Sequence, residues 1–102
     1  SKYVVTVSSY IKSHLEDRLS IQSLSSMVHL SPNYLGKIFF QKTGTFVHQY
    51  ITNCRMNKAC DLLRQTNLPI NAIGEMVGIA NPHYFSKLFR DTMVMSPSKY
   101  RG

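Results

Sequence analysis

Acidic side chains are scarce in this chain. Five Asp and Glu stand against twelve Lys and Arg in 102 residues, a formal net charge of +7 with a pI near 9.7. So large an excess on so short a chain points to a polyanionic partner. Catalytic equipment is missing as well: the few carboxylates form no paired constellation. Neither a Gly-rich phosphate loop nor a Ser-His-Asp arrangement is visible, so no enzyme is expected. Cysteine is nearly absent. Cys54 and Cys60 fall on one expected helix about 240° apart, so they cannot bridge locally, and no third Cys or His stands near them at metal-ligand spacing. Buried, reduced thiols in a cytosolic protein are the expectation. His14, His29 and His48 are scattered, and His83 lacks a second ligand at i+3 or i+4; neither metal nor cofactor is expected. No apolar run approaches membrane-spanning length, and no signal-peptide pattern opens the chain. A soluble, cytoplasmic protein without a membrane partner follows as the expectation. No period-two strand pattern appears either, so the fold class is all-α.

What is present is a succession of helical stripes. Val4, Val7, Ile11 and Leu15 predict an amphipathic helix from about Tyr3 to Leu15. Ser20 caps a short helix holding Ile21, Leu24, Met27 and Val28. Ser31-Pro32 opens a helix that runs to about Thr43, where Gly44 ends it. A longer helix spans about Phe46 to Gln65, and "TNLP" breaks it. Ile70, Ile73, Met76 and Val77 predict another short helix. Asn81 and Pro82 are a good N-cap and first position for a helix reaching about Thr92. "SPSKYR" closes the chain with a capped turn, about seven helices in all. The length and the 43% hydrophobic content fit one folded domain over residues 1–102.

An internal repeat organises these helices. "LSIQSLSSMVHLSPNYLGKIF" and "LPINAIGEMVGIANPHYFSKLF" align residue for residue, with one extra residue in the second turn. Ile21 and Leu24 match Ile70 and Ile73; Pro32, Tyr34, Lys37 and Phe39 match Pro82, Tyr84, Lys87 and Phe89; Tyr50 matches Tyr100. Two copies of a short-helix, tight-turn, longer-helix unit result, about residues 3–44 and 68–101. A linker helix of about residues 46–65 joins them.

Each copy follows helix-turn-helix logic. Ser25 and Gly74 are the small residues that let the second helix approach the first. Gly78 supplies the turn residue that tolerates positive φ, with His29 as its counterpart. Leu30, Leu35 and Ile38 plug one core, and Ile79, Phe85 and Leu88 the other; Tyr34, Phe39, Tyr84 and Phe89 are expected to join them. The outward stripes are then Asn33, Gly36, Lys37 and Phe40 in the first copy, and His83, Ser86, Lys87 and Arg90 in the second. Lys reads guanine or grips phosphate, Asn pairs with adenine, and Ser or His serves several base edges. For an arbitrary Lys, solvated surface is the better reading; the equivalence of Lys37 and Lys87 in two recognition helices reverses it. Arg55, amid apolar neighbours on the linker helix, reads equally as a structural charge, with Glu75 as a possible partner, or as a phosphate contact.

The whole chain resembles the DNA-binding domain of AraC/XylS-type bacterial transcription regulators. The resemblance rests on "LSPNYLGKIF" with "KTG", on Tyr50, Arg55, Ala59, Leu62 and Leu63, and on "AIGEMVGIANPHYFSKLFR" with "SPSKYR". It implies sequence-specific binding of double-stranded DNA, with recognition helices 32–43 and 82–92 in adjacent major-groove segments. Asn33, Gly36, Lys37, His83, Ser86 and Lys87 would face the bases, and Ser31, Lys42, Arg55, Asn81 and Arg90 are candidates for the backbone. It also implies a covalently linked N-terminal sensor, receiver or dimerisation domain, and RNA polymerase as a partner of the full regulator. "SPNYLGKIF" is similar to members that carry a receiver domain. Four positions depart from the family's pattern, and one of them, Gly36, has no side chain to reach a base. Gly74 replaces the usual Ala, at about 0.5–1 kcal/mol of helix propensity. Ile79 replaces a Phe. Val94 replaces the glycine that ends the last recognition helix, which predicts an irregular end there.

The rival reading is a basic helical protein-interaction module without sequence-specific DNA binding. Repeats near this length stack as solenoids, but those need three or more copies and terminal caps. A protein-docking groove would also carry exposed apolar anchors, and apart from Phe40 these stripes do not.

Overall fold

The computed structural model describes residues 1–102 and holds seven α-helices and no strand. They are α1 (Lys2–Ser13), α2 (Ile21–Met27), α3 (Pro32–Thr43), α4 (Val47–Gln65), α5 (Ile70–Met76), α6 (Pro82–Met93) and α7 (Pro97–Arg101). The chain divides into two compact units, Ser1–Cys54 and Arg55–Gly102, and the division falls inside α4.

Each unit has its own core. In the first, Val4, Val7 and Ile11 of α1 meet Leu24, Leu35, Phe39, Val47 and Ile51. In the second, Met56, Ala59 and Leu63 of α4 meet Ile73, Val77, Ile79, Phe85 and Phe89. The spacing of Val4, Val7 and Ile11 returns in Met56, Ala59 and Leu63, so the second half of α4 serves its unit as α1 serves the other. The first half of α4 is likewise the counterpart of α7. Phe39 meets Tyr50 edge-on with ring centroids 5.1 Å apart, and Phe89 meets Tyr100 at 5.6 Å. Such pairs contribute about 0.5–1.5 kcal/mol beyond their burial. Where the counterpart of Ile51 is Arg101, its Nε and Nη2 donate to the Leu63 and Thr66 carbonyls at 3.2 and 3.3 Å. Those are carbonyls at the α4 C-terminus, which a helix leaves without internal partners.

Both turns close in the same way. His29 and Gly78 take positive φ, 60° and 90°, as the sequence predicts. The next amide reaches back to the small residue of the first helix: Leu30 N donates to Ser25 O at 2.9 Å, and Ile79 N to Gly74 O at 2.8 Å. The extra residue of the second copy, Ala80, comes after this bond and leaves it intact. At Gly74, an added Cβ would stand 3.0 Å from the Ile79 carbonyl and 3.1 Å from Phe85 Cγ. Glycine thus makes room for Phe85, where the first unit sets Ser25 against the smaller Leu35.

Three expectations are corrected. α1 ends at Ser13, not Leu15, because His14 leaves the helix at φ −132° and stacks its ring on Tyr10 at 3.8 Å; Leu15 still reaches the core from the turn. Tyr34 and Tyr84 are not core: they are 50% and 57% exposed. The buried line runs through Leu35 and Phe39, and through Phe85 and Phe89, and each Tyr lies about 100° round from it. Finally, α6 does not end irregularly. Val94 adopts φ 69°, ψ 4°, beside φ 77°, ψ 4° at Gly44, and its N–H donates to Arg90 O as that of Gly44 does to Phe40 O. The regular helix end prevails, although a left-handed conformation costs a residue with a Cβ about 1–2 kcal/mol.

Polar caps mark most helix starts. Ser20, Ser31, Asn81 and Ser96 accept from the amides of Ser23, Tyr34, Tyr84 and Lys99. Before α4 the same place holds Phe46, whose carbonyl accepts from Tyr50 N at 3.0 Å but whose side chain cannot cap. Against Ser this forfeits about 1 kcal/mol.

Val94 generates a stability prediction. The residue is 87% exposed, so replacement loses little packing. Val94→Gly should stabilise the chain by about 1 kcal/mol and raise its melting temperature by roughly 4–8 °C. A melting temperature at or below the parent's would contradict the strain assigned to Val94.

Candidate nucleic-acid interface

The order of buried, half-buried and exposed positions in residues 31–44 is repeated without a change in residues 81–94. Two helices of the same length therefore turn the same face outward, each over its own core. Their starts are built alike. Ser31 Oγ accepts from Tyr34 N at 3.1 Å and Asn81 Oδ1 from Tyr84 N at 3.0 Å, with a proline at the first helical position. The oxygens of Ser31 and Asn81 are thus engaged as caps, while the Ser hydroxyl hydrogen and the Asn amide can still donate.

The structure brings each anticipated set onto one helix face. On α3, Asn33 and Lys37 are exposed and Gly36 is half-buried between them. On α6, His83, Lys87 and Arg90 are exposed and Ser86 is half-buried. An added Cβ at Gly36 would stand in ordinary van der Waals contact with Ile21 Cδ1, at 3.5 Å, so a methyl group would fit there against Ile21. Lys42 is exposed in the last turn of α3, off the stripe. Arg55 lies half-buried on α4. Burial holds its guanidinium below the ordinary arginine value, and Tyr84 acts in the opposite sense.

One participant was overlooked in the sequence. Lys87 Nζ lies 3.0 Å from the Asp91 carboxylate, one helical turn on, and both side chains are more than half exposed. The i, i+4 spacing was the available signal. An exposed pair of this kind contributes about 0.3–0.5 kcal/mol, so it holds Lys87 weakly. None of the five acids lies on α3, and Asp91 is the single one on α6.

The cysteines are free, Cys60 buried and Cys54 half-buried. Burial pushes the Cys54 thiol up, against Lys12 and a hydrogen bond with Tyr50. Hydrogen bonding with the Cys60 thiol, then burial, pushes the Tyr100 hydroxyl above the usual phenol value, while Arg64 acts against it. No cluster of three His, Cys, Asp or Glu side chains could hold a metal ion. No helix is long and apolar enough to cross a membrane.

Known proteins share this arrangement. A family profile described as "Helix-turn-helix domain" matches residues 24–102. The HTH-type transcriptional regulator YisR of Bacillus subtilis is 36% identical over 92 residues, 90% of this chain and 32% of YisR. The chain thus spans about a third of that relative. The C-terminal domain of AraT, a response regulator from Geobacillus stearothermophilus, superposes with a TM-score of 0.96 at 37% identity, covering 99% of this chain and 84% of that one. The C-terminal domain of the two-component response regulator yesN from Fusobacterium nucleatum superposes at 0.94 with 29% identity, over the full length of both. With a profile match over more than half its length and these relatives, the chain belongs to the AraC-type helix-turn-helix DNA-binding domains of bacterial transcription regulators.

Proposed function

We propose that the chain binds double-stranded DNA sequence-specifically, with α3 and α6 each entering a major groove. The observation that carries this reading is the duplicated outward face: two helices with the same burial order present cationic and polar side chains in a chain of net charge +7. Lys37 and Lys87 would meet guanine O6 and N7, and Asn33 an adenine edge; His83 and Ser86 would serve the neighbouring bases. Ser31, Asn81, Lys42, Arg55 and Arg90 hold phosphates and set the register without reading sequence. Residues 1–102 act together as the DNA-binding domain of a cytoplasmic regulator. In the full protein a covalently linked sensor, receiver or dimerisation domain controls it, and RNA polymerase is its partner in transcription. The chain works by binding, with neither catalysis nor cofactor.

The experiment is selection of bound sites from random duplexes, followed by affinity measurements at fixed and varied salt. If phosphates supply most of the affinity, log K should fall against log salt with a slope magnitude of roughly 4–8. A flat response with retained affinity would sink the reading. Lys87→Ala should cost about 1–3 kcal/mol on the best site and relax preference at one or two base pairs. Lys42→Ala should instead weaken all sequences alike and lower the salt slope by about one. Uniform loss on Lys87→Ala would make Lys87 a backbone clamp.

Asp91 adds a test of opposite sign. Its carboxylate both occupies Lys87 and repels phosphate, so Asp91→Asn should tighten binding to every duplex. The gain should shrink at high salt, where charge is screened. Weaker binding by this variant would show that Asp91 helps to aim Lys87 at its base.

A further inference from the structure

The outward face of α3 is not polar along its whole length. Phe40 and Phe46 stand 46% and 59% exposed, their ring centroids 5.0 Å apart. With Ile21 and Gly36 they line an open groove of about 620 Å³, whose edge carries Asn33 and Lys37. This apolar groove therefore lies on the face that the repeat marks for DNA.

Neither ring belongs to the buried core of the first unit, and Phe46 takes a place where a capping side chain would stabilise α4. The second unit shows that the backbone needs no apolar residues here. At the places of Gly36, Phe40 and Phe46 it carries Ser86, Arg90 and Ser96, and Ser96 caps α7 by accepting from Lys99 N at 3.2 Å. At these three places the units share a backbone and differ in side-chain chemistry.

Charge decides the occupant. Lys37 and Lys42 share α3 with no carboxylate, which suits a polyanion. A duplex offers phosphates to such lysines and, in its major groove, one apolar group: the 5-methyl of thymine, which aromatic side chains contact well. Gly36 leaves the approach clear of side chain. We propose that α3 reads thymine through its 5-methyl groups, received between Phe40, Phe46 and Ile21 over Gly36, while Asn33 and Lys37 fix the register. This rests on the DNA-binding function proposed above and gives the two recognition helices different chemistries: methyl reading in the first, hydrogen-bond reading in the second.

The test uses the 102-residue chain and its selected duplex, with thymines replaced singly by uracil, which keeps the base pair and removes the methyl. Uracil at one or two positions should weaken binding about fourfold each, as expected for burial of one methyl group. Phe40→Ala and Phe46→Ser should bind the thymine duplex more weakly and no longer distinguish uracil. Both rings are exposed, and cooperative melting, near the parent's temperature for Phe40→Ala and above it for Phe46→Ser with its new cap, confirms that the variants fold. If the duplex binds but no uracil matters, or if the penalty survives both substitutions, methyl reading is overturned while DNA binding stands. Failure to bind any duplex overturns the DNA-binding function itself. Self-association that disappears in Phe40→Ala, with DNA affinity unchanged, makes the groove a contact between copies and also overturns the proposal.

Discussion

Close approach of two helices at one small residue governs each unit. The carbonyl of Ser25 or Gly74 accepts the amide just beyond the turn, and this bond sets where the second helix starts. Once the start is set, Leu35 and Phe39, or Phe85 and Phe89, must point inward, and the stripe opposite must point out. The small residue is therefore a condition for the exposed face. Gly74 shows how tight the condition is: with Phe85 in place, even a methyl group there would press on the Ile79 carbonyl. The first unit meets the same condition with a larger residue, Ser25, and a smaller plug, Leu35.

Much of this was legible in the chain. The caps at Ser31 and Asn81, the prolines after them and the duplicated apolar spacing fix α3 and α6 to within about a residue. Positive φ at His29 and Gly78 follows from the turn's place in the repeat. The misreadings share a physical origin. Tyr34 and Tyr84 continue an apolar pattern, but periodicity cannot tell the middle of a buried stripe from its edge when the side chain carries its own hydroxyl. Val94 was judged by its intrinsic preference, and the hydrogen bond to the Arg90 carbonyl outweighs that preference. The end of α1 before His14, whose ring stacks on Tyr10, leaves no mark in hydrophobic spacing because Leu15 still reaches the core.

The candidate site was legible by the same route, since exposure of Asn33, Lys37, His83, Lys87 and Arg90 follows once the core stripe is known. Two features were not. The Lys87–Asp91 pair follows the i, i+4 rule, but spacing alone does not say whether an exposed Lys turns to its neighbour or to a ligand. The groove of Phe40, Phe46 and Ile21 joins residues from α2, α3 and the start of α4, and only folding brings these together. Both features concern differences between the units, whereas the sequence repeat brings out what they share.

The central claim is that the outward faces of α3 and α6 are where DNA is met. The most direct test is to follow the backbone amide resonances of the 102-residue chain as its selected duplex is added. The account predicts the largest shifts at residues 31–40 and 81–90, with the core amides of α1 little changed. Shifts confined to α1 and the outer turns, with residues 81–90 silent at saturation, would contradict it.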